Sequence, residues 1–125
     1  MRPVPTLLAG LLACCAAGSA AALEGRYTIE GVTPGDDARP YEGEVEVRRT
    51  GETYAIAWRT TGGNYVGTGL LSGATLSIIY TSTQIRGVPG LATYEVVNNK
   101  VTKGTWTNLG ARVSGTEIWK AVEKP

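Results

Sequence analysis

The chain contains no histidine and no phenylalanine, and its only cysteines, Cys14 and Cys15, stand side by side in an apolar amino-terminal stretch. Without imidazole, Ser–His triads and the usual histidine-bearing metal sites are excluded. Removal of that stretch takes the thiols as well, and with them disulfide staples and iron–sulfur ligation. Aspartate is scarce too: Asp36 and Asp37 are the only ones, in a Thr33-Pro34-Gly35-Asp36-Asp37 turn that lacks the ligand spacing of a calcium loop. No metal and no cofactor is expected. Ser72, Ser77, Ser82 and Ser114 show no Ser-x-x-Lys or nucleophile-elbow pattern, and Gly62-Gly63 and Gly67-x-Gly69 open no helix that could cradle a phosphate.

What is present begins with an address. Arg2, the eleven apolar residues Leu7 to Ala17 and the small residues Gly18 to Ala22 form the three parts of a secretory signal. Cleavage after Ala20 or Ala22 is expected, giving residues 1–22 as signal peptide and 23–125 as the domain. Leu11-Leu12-Ala13-Cys14 is similar to a lipobox, which would make Cys14 a lipidated first residue. By either route the protein is exported, to the periplasm or the cell surface. The apolar run is shorter than the roughly 20 residues of a spanning helix, so no integral membrane span is expected. Removing Arg2 from the twelve basic residues leaves eleven against eleven acids, a net charge of zero. Such a chain has no general field to attract nucleic acid. The charges are unevenly placed, with acids concentrated in Glu24 to Glu52 and bases in Thr53 to Pro125, which predicts a molecule polar end to end or face to face.

The domain shows no amphipathic helix, and two-residue alternation recurs throughout. Tyr41 to Arg48 places Tyr41, Gly43, Val45 and Val47 on one face and Glu42, Glu44, Glu46 and Arg48 on the other. Thr53 to Arg59 repeats the pattern with Tyr54, Ile56 and Trp58 inside, and Thr50-Gly51-Glu52 links the two as a hairpin. The same reading gives strands over 26–30, 64–71, 75–82, 91–97, 101–107 and 113–122, separated by glycine-, proline- and asparagine-rich turns. Eight short strands in meander order predict an all-β domain, a single eight-stranded antiparallel up-and-down barrel; a partly open barrel or a sandwich is the alternative. Gly43, Gly67, Gly69, Gly104 and Gly115 lie within strands, where bulges and kinks are expected to curve the wall.

The spaced elements Gly25-x-Tyr27, Tyr41-x-Gly43-x-Val45-x-Val47, Tyr54-x-Ile56-x-Trp58, Tyr65-x-Gly67-x-Gly69, Leu76-x-Ile78-x-Tyr80, Tyr94, Gly104-x-Trp106 and Gly115-Thr116-Glu117 resemble a group of small exported bacterial proteins. Most of that group is uncharacterised, and some members carry a fibronectin-binding label, which the resemblance extends to this chain as an implied role. Gly25-x-Tyr27 also resembles the G-x-W signature of lipocalin and avidin barrels. Gly104-Thr105-Trp106-Thr107-Asn108-Leu109-Gly110 is similar to the avidin opening motif but stands near the other end of the chain, and no biotin contacts carry over. The Tyr-x-Gly elements are similar to MORN repeats, at irregular spacing.

Function is expected to be non-catalytic binding: capture of a small, partly apolar ligand at the barrel mouth, with Tyr54, Trp58 and Tyr80 among its contacts. The alternative is an adhesin-like module that binds an extracellular or envelope protein. An enzyme built on carboxylates and tyrosine is a third reading. A cavity of roughly 300 Å³ or more lined by Tyr and Trp would mark the first, and a filled interior the second. In the loop Gln84 to Gly90, the branched Ile85 and Val88 beside Arg86 form a candidate contact site, or an apolar plug for the barrel end. Glu117 shares parity with Val113, Gly115 and Trp119, so if Trp119 points inward then Glu117 is buried as well and must be held by an Arg, a Tyr hydroxyl or backbone donors.

Overall fold

Alternation becomes architecture strand by strand. The structure is a computed structural model that describes residues 23–123. Eight strands run β1 (Gly25–Val32), β2 (Pro40–Thr50), β3 (Thr53–Thr60), β4 (Gly63–Ser72), β5 (Thr75–Ser82), β6 (Gly90–Val97), β7 (Lys100–Asn108) and β8 (Gly115–Ala121). Each pairs antiparallel with the next, and β8 returns to pair with β1, closing an eight-stranded barrel. Residues 1–22, which the sequence reading assigns to a signal peptide and which include Cys14, lie outside the described residues. Among the described residues no helix is long and apolar enough to cross a membrane.

The inward set is the one alternation demands. On β3, Tyr54, Ile56 and Trp58 are buried while Ala55, Ala57 and Arg59 are exposed. On β2, Val45 and Val47 are buried while Glu42, Glu44 and Glu46 face solvent. Charge is spread unevenly around the wall, for β4 and β5 hold no charged residue at all.

The two ends of the barrel differ. At one end tight turns join β2 to β3, β4 to β5 and β6 to β7; Asn98 and Asn99 both take positive φ (51° and 63°), as a two-residue hairpin turn requires. Leu23, Tyr27, Val47, Tyr54 and Val101 are buried. The Tyr27 hydroxyl donates to the Leu23 carbonyl at 2.8 Å and accepts from the Val101 amide at 3.4 Å, sealing this closed end. The connections at the other, open end are longer, apart from Thr61-Gly62.

Two details differ from the sequence reading. The strand expected over 113–122 starts at Gly115, because Ala111 turns back to bond the Asn108 carbonyl and Thr107 Oγ1 donates to the Val113 carbonyl; Val113 is an exposed loop residue and shares no face with Trp119. The strand glycines do not mark bulges either. The register runs unbroken through Gly43, Gly67, Gly69, Gly104 and Gly115, and the one irregularity among the described pairs lies between Glu95 and Val96. What these positions supply is room: a Cβ on Gly43 would stand 2.2 Å from the Arg59 carbonyl oxygen.

Candidate functional site

The site forms where the open end runs out of core. A cavity of about 150 Å³ opens there, lined by six aromatic residues, Tyr41, Trp58, Tyr65, Tyr80, Tyr94 and Trp106, together with Thr33, Thr60, Asn108 and Glu117. That is half the size set above for ligand capture, yet the interior is not filled. It is the size of hole that takes a benzene-sized guest. A broader depression of about 500 Å³ lies outside the wall over Gly31, Val32 and Ile118 and is open to solvent.

Glu117 forms the floor. On β8 it alternates with the exposed Thr116 and Ile118, so its side chain points inward, where it is 5% exposed. Four side chains donate to its carboxylate. Oε2 accepts from the Tyr41 hydroxyl at 2.5 Å, and Oε1 accepts from the Tyr94 hydroxyl at 2.8 Å, Trp119 Nε1 at 2.8 Å and Trp58 Nε1 at 3.3 Å. All four partners are neutral. Tyrosine hydroxyls were among the expected partners and an arginine was not needed. The indoles can only donate, which suits an acceptor-only carboxylate.

The sheet register explains how two tyrosines reach one carboxylate. Across the wall Tyr94 pairs with Gly104, Gly104 with Glu117, Glu117 with Gly31, and Gly31 with Tyr41. Glu117 therefore sits between two glycines with a tyrosine beyond each. A Cβ at Gly31 would stand 2.4 Å from the Tyr41 hydroxyl, and one at Gly104 would stand 2.5 Å from the Tyr94 ring, so each ring lies across the neighbouring glycine to reach the glutamate. The same device places two more rings. Tyr80 lies over Gly90 with its one hydroxyl proton shared between the Thr107 carbonyl and Asn108 Oδ1, and Trp106 lies over Gly115. Perpendicular contacts join Trp58 to Tyr80, Tyr65 to Tyr80 and Tyr41 to Trp106, with centroids 5.8, 5.9 and 6.2 Å apart.

One polar group is left over. The Trp106 indole N–H is buried without a hydrogen-bond acceptor, although it lies close enough to the Tyr41 hydroxyl to favour that group's ionised form. A buried orphan donor beside a cavity costs about 1–3 kcal/mol until water or a ligand meets it.

Burial pushes the phenols of Tyr41, Tyr80 and Tyr94 well above their ordinary range, and the negative charge of Glu117 raises all three further. In the unfolded chain these groups ionise near pH 10, whereas in the barrel they hold their protons to higher pH. The stability they contribute is thus fully present below pH 10 and is lost as pH rises above it. Urea midpoints measured at pH 8 and pH 11 should fall with increasing pH, with the phenolate absorbance of Tyr41, Tyr80 and Tyr94 appearing only as the barrel unfolds.

Of the residues singled out from the sequence, Trp58 and Tyr80 line the cavity. Tyr54 does not: it shares their inward parity but lies beside the β2–β3 turn, at the closed end. Ile85, Arg86 and Val88 are all exposed in the β5–β6 loop at the open end, where they neither line nor plug the cavity. Tyr41, Tyr65, Tyr94 and Trp106 were not singled out as contacts. The signal available for Tyr41 was its inward parity, and for the others the glycines that recur beside aromatic positions. No model of a known protein family and no curated protein matches the chain.

Proposed function

We propose that the chain is an exported, non-catalytic binding module that captures one small, partly apolar molecule at the open end of its barrel. The observation that carries this reading is the aromatic cavity with its single carboxylate. The engagement of Glu117 supports a role in binding over one in acid–base chemistry, since its partners already occupy most of its acceptor sites. Native mass spectrometry of the protein isolated from its own host is the direct test. One added small-molecule mass per chain, with altered Trp58 and Trp106 fluorescence on its release, is the expected result; a cavity that takes up no small molecule overturns the reading.

An apolar rim favours a second reading, adhesin-like capture of an envelope or extracellular protein. Ile85 and Val88 are 73% and 57% exposed, and Leu109, in the adjoining β7–β8 loop, is 69% exposed. The two loops are joined by the Leu109 amide, which donates to the Pro89 carbonyl at 2.9 Å. Changing Ile85, Arg86 and Val88 together to serine should leave stability within about 0.5 kcal/mol per site, because all three are surface positions. Small-molecule uptake by that variant should be unchanged, and loss of uptake would place the loop in the site.

A further inference from the structure

The cavity's electrostatics narrow the chemistry of the guest. Among the described residues its one charge is the Glu117 carboxylate, no basic side chain lines it, and the four groups bonded to the carboxylate are neutral. An uncompensated negative charge beneath six aromatic rings is an environment for a cation, because ring quadrupoles and the carboxylate attract it together. The hydrogen bonds then decide which cation. A carboxylate offers about four acceptor sites. With two sites on each oxygen, three donors already share those of Oε1 and one donor takes one of Oε2, so a single acceptor site is left, on Oε2. A primary ammonium brings three N–H donors to this floor and leaves two unmatched there. A tertiary ammonium brings one, and a quaternary ammonium none.

We propose that the cavity binds an alkylated ammonium ion with at most one N–H. The alkylated nitrogen sits among Trp58, Tyr65 and Tyr80 above Glu117. This inference rests on the small-molecule reading above and specifies its ligand class.

Three probes of one skeleton separate the possibilities in calorimetric titration of the intact protein: choline, ethanolamine and 3,3-dimethylbutan-1-ol. They differ in carrying a trimethylammonium, a primary ammonium or an uncharged tert-butyl group. Choline is expected to bind about tenfold more tightly than either of the others. Equal binding of choline and the uncharged alcohol would overturn the cation assignment while leaving apolar capture intact, and tighter ethanolamine binding would overturn the limit on N–H groups. If choline fails but benzyl alcohol binds, the inference falls and the capture reading stands; if none of the four binds, both fall. Two variants add independent checks. Glu117→Gln should abolish the preference for choline over the uncharged alcohol. Should Glu117→Gln fail to fold, Tyr65→Leu, at the half-buried mouth, should weaken choline about fivefold or more with little effect on the alcohol. An unchanged choline affinity in Tyr65→Leu would overturn the proposal.

Discussion

Replacing Glu117 by alanine should lower the unfolding free energy by about 3–5 kcal/mol in urea titration at pH 7. The loss comes from the groups left behind more than from the carboxylate itself. Tyr41, Tyr94, Trp58 and Trp119 all aim donors at Glu117, and a methyl group would orphan the four of them at once. Each buried unmet donor costs about 1–3 kcal/mol, offset in part because Tyr41 and Tyr94 also line the cavity and can turn to water. Glu117→Gln should cost less, about 1–2 kcal/mol, since the amide oxygen keeps the indole bonds and the Tyr41 hydroxyl can rotate to accept from the amide. A loss below about 1 kcal/mol for the alanine variant would mean that β8 presents this side chain to solvent.

Gly104→Ala should cost about 3 kcal/mol, at the upper end of ordinary overpacking. Its new Cβ would stand 2.1 Å from the Thr93 carbonyl oxygen and 2.5 Å from the Tyr94 ring, and backbone cannot step aside as a flexible side chain does. Relief requires the Tyr94 ring to lift away from Glu117, so the substitution should weaken the cavity floor along with the wall. Gly87→Ala is the matched control, because nothing lies within 4 Å of its Cβ position, and a change within about 0.5 kcal/mol is expected. Unfolding curves for the two variants measured side by side check both figures. Equal stability would mean that the strand glycines serve no packing purpose.

Face and order were legible in the chain, whereas height and cross-strand neighbourhood were not. Parity alone put Trp58, Tyr80 and Glu117 inside, because a strand has only two faces and the charged residues of Tyr41 to Arg48 mark the wet one. The same parity grouped Tyr54 with Trp58, although they belong to opposite ends of the barrel. The partners of Glu117 were hidden for a different reason. Tyr41 is 76 residues away in sequence, and the pairing that unites them, β1 with β8, is the one contact between neighbouring strands that no hairpin announces. The glycines were visible as an anomaly, but their purpose is read only across the sheet. Tyr-x-Gly along a strand looks like a repeat, whereas the working unit is a tyrosine beside a glycine on the next strand, as in Tyr41 with Gly31 and Tyr94 with Gly104.

The pairing of β1 with β8 also makes the chain a ring in all but one covalent link. Tyr27 lies opposite Ala121, and the Val122 amide donates to the Arg26 carbonyl at 2.9 Å, so the two ends of the described chain meet at the closed end. Every other neighbour in the barrel is also a neighbour in sequence. The position of the break in the polypeptide is then incidental to the architecture. A short linker across the β1–β8 seam, with new termini cut at Gly51–Glu52 or Asn98–Asn99, would preserve every strand pair while turning the pairing most distant in sequence into a local hairpin.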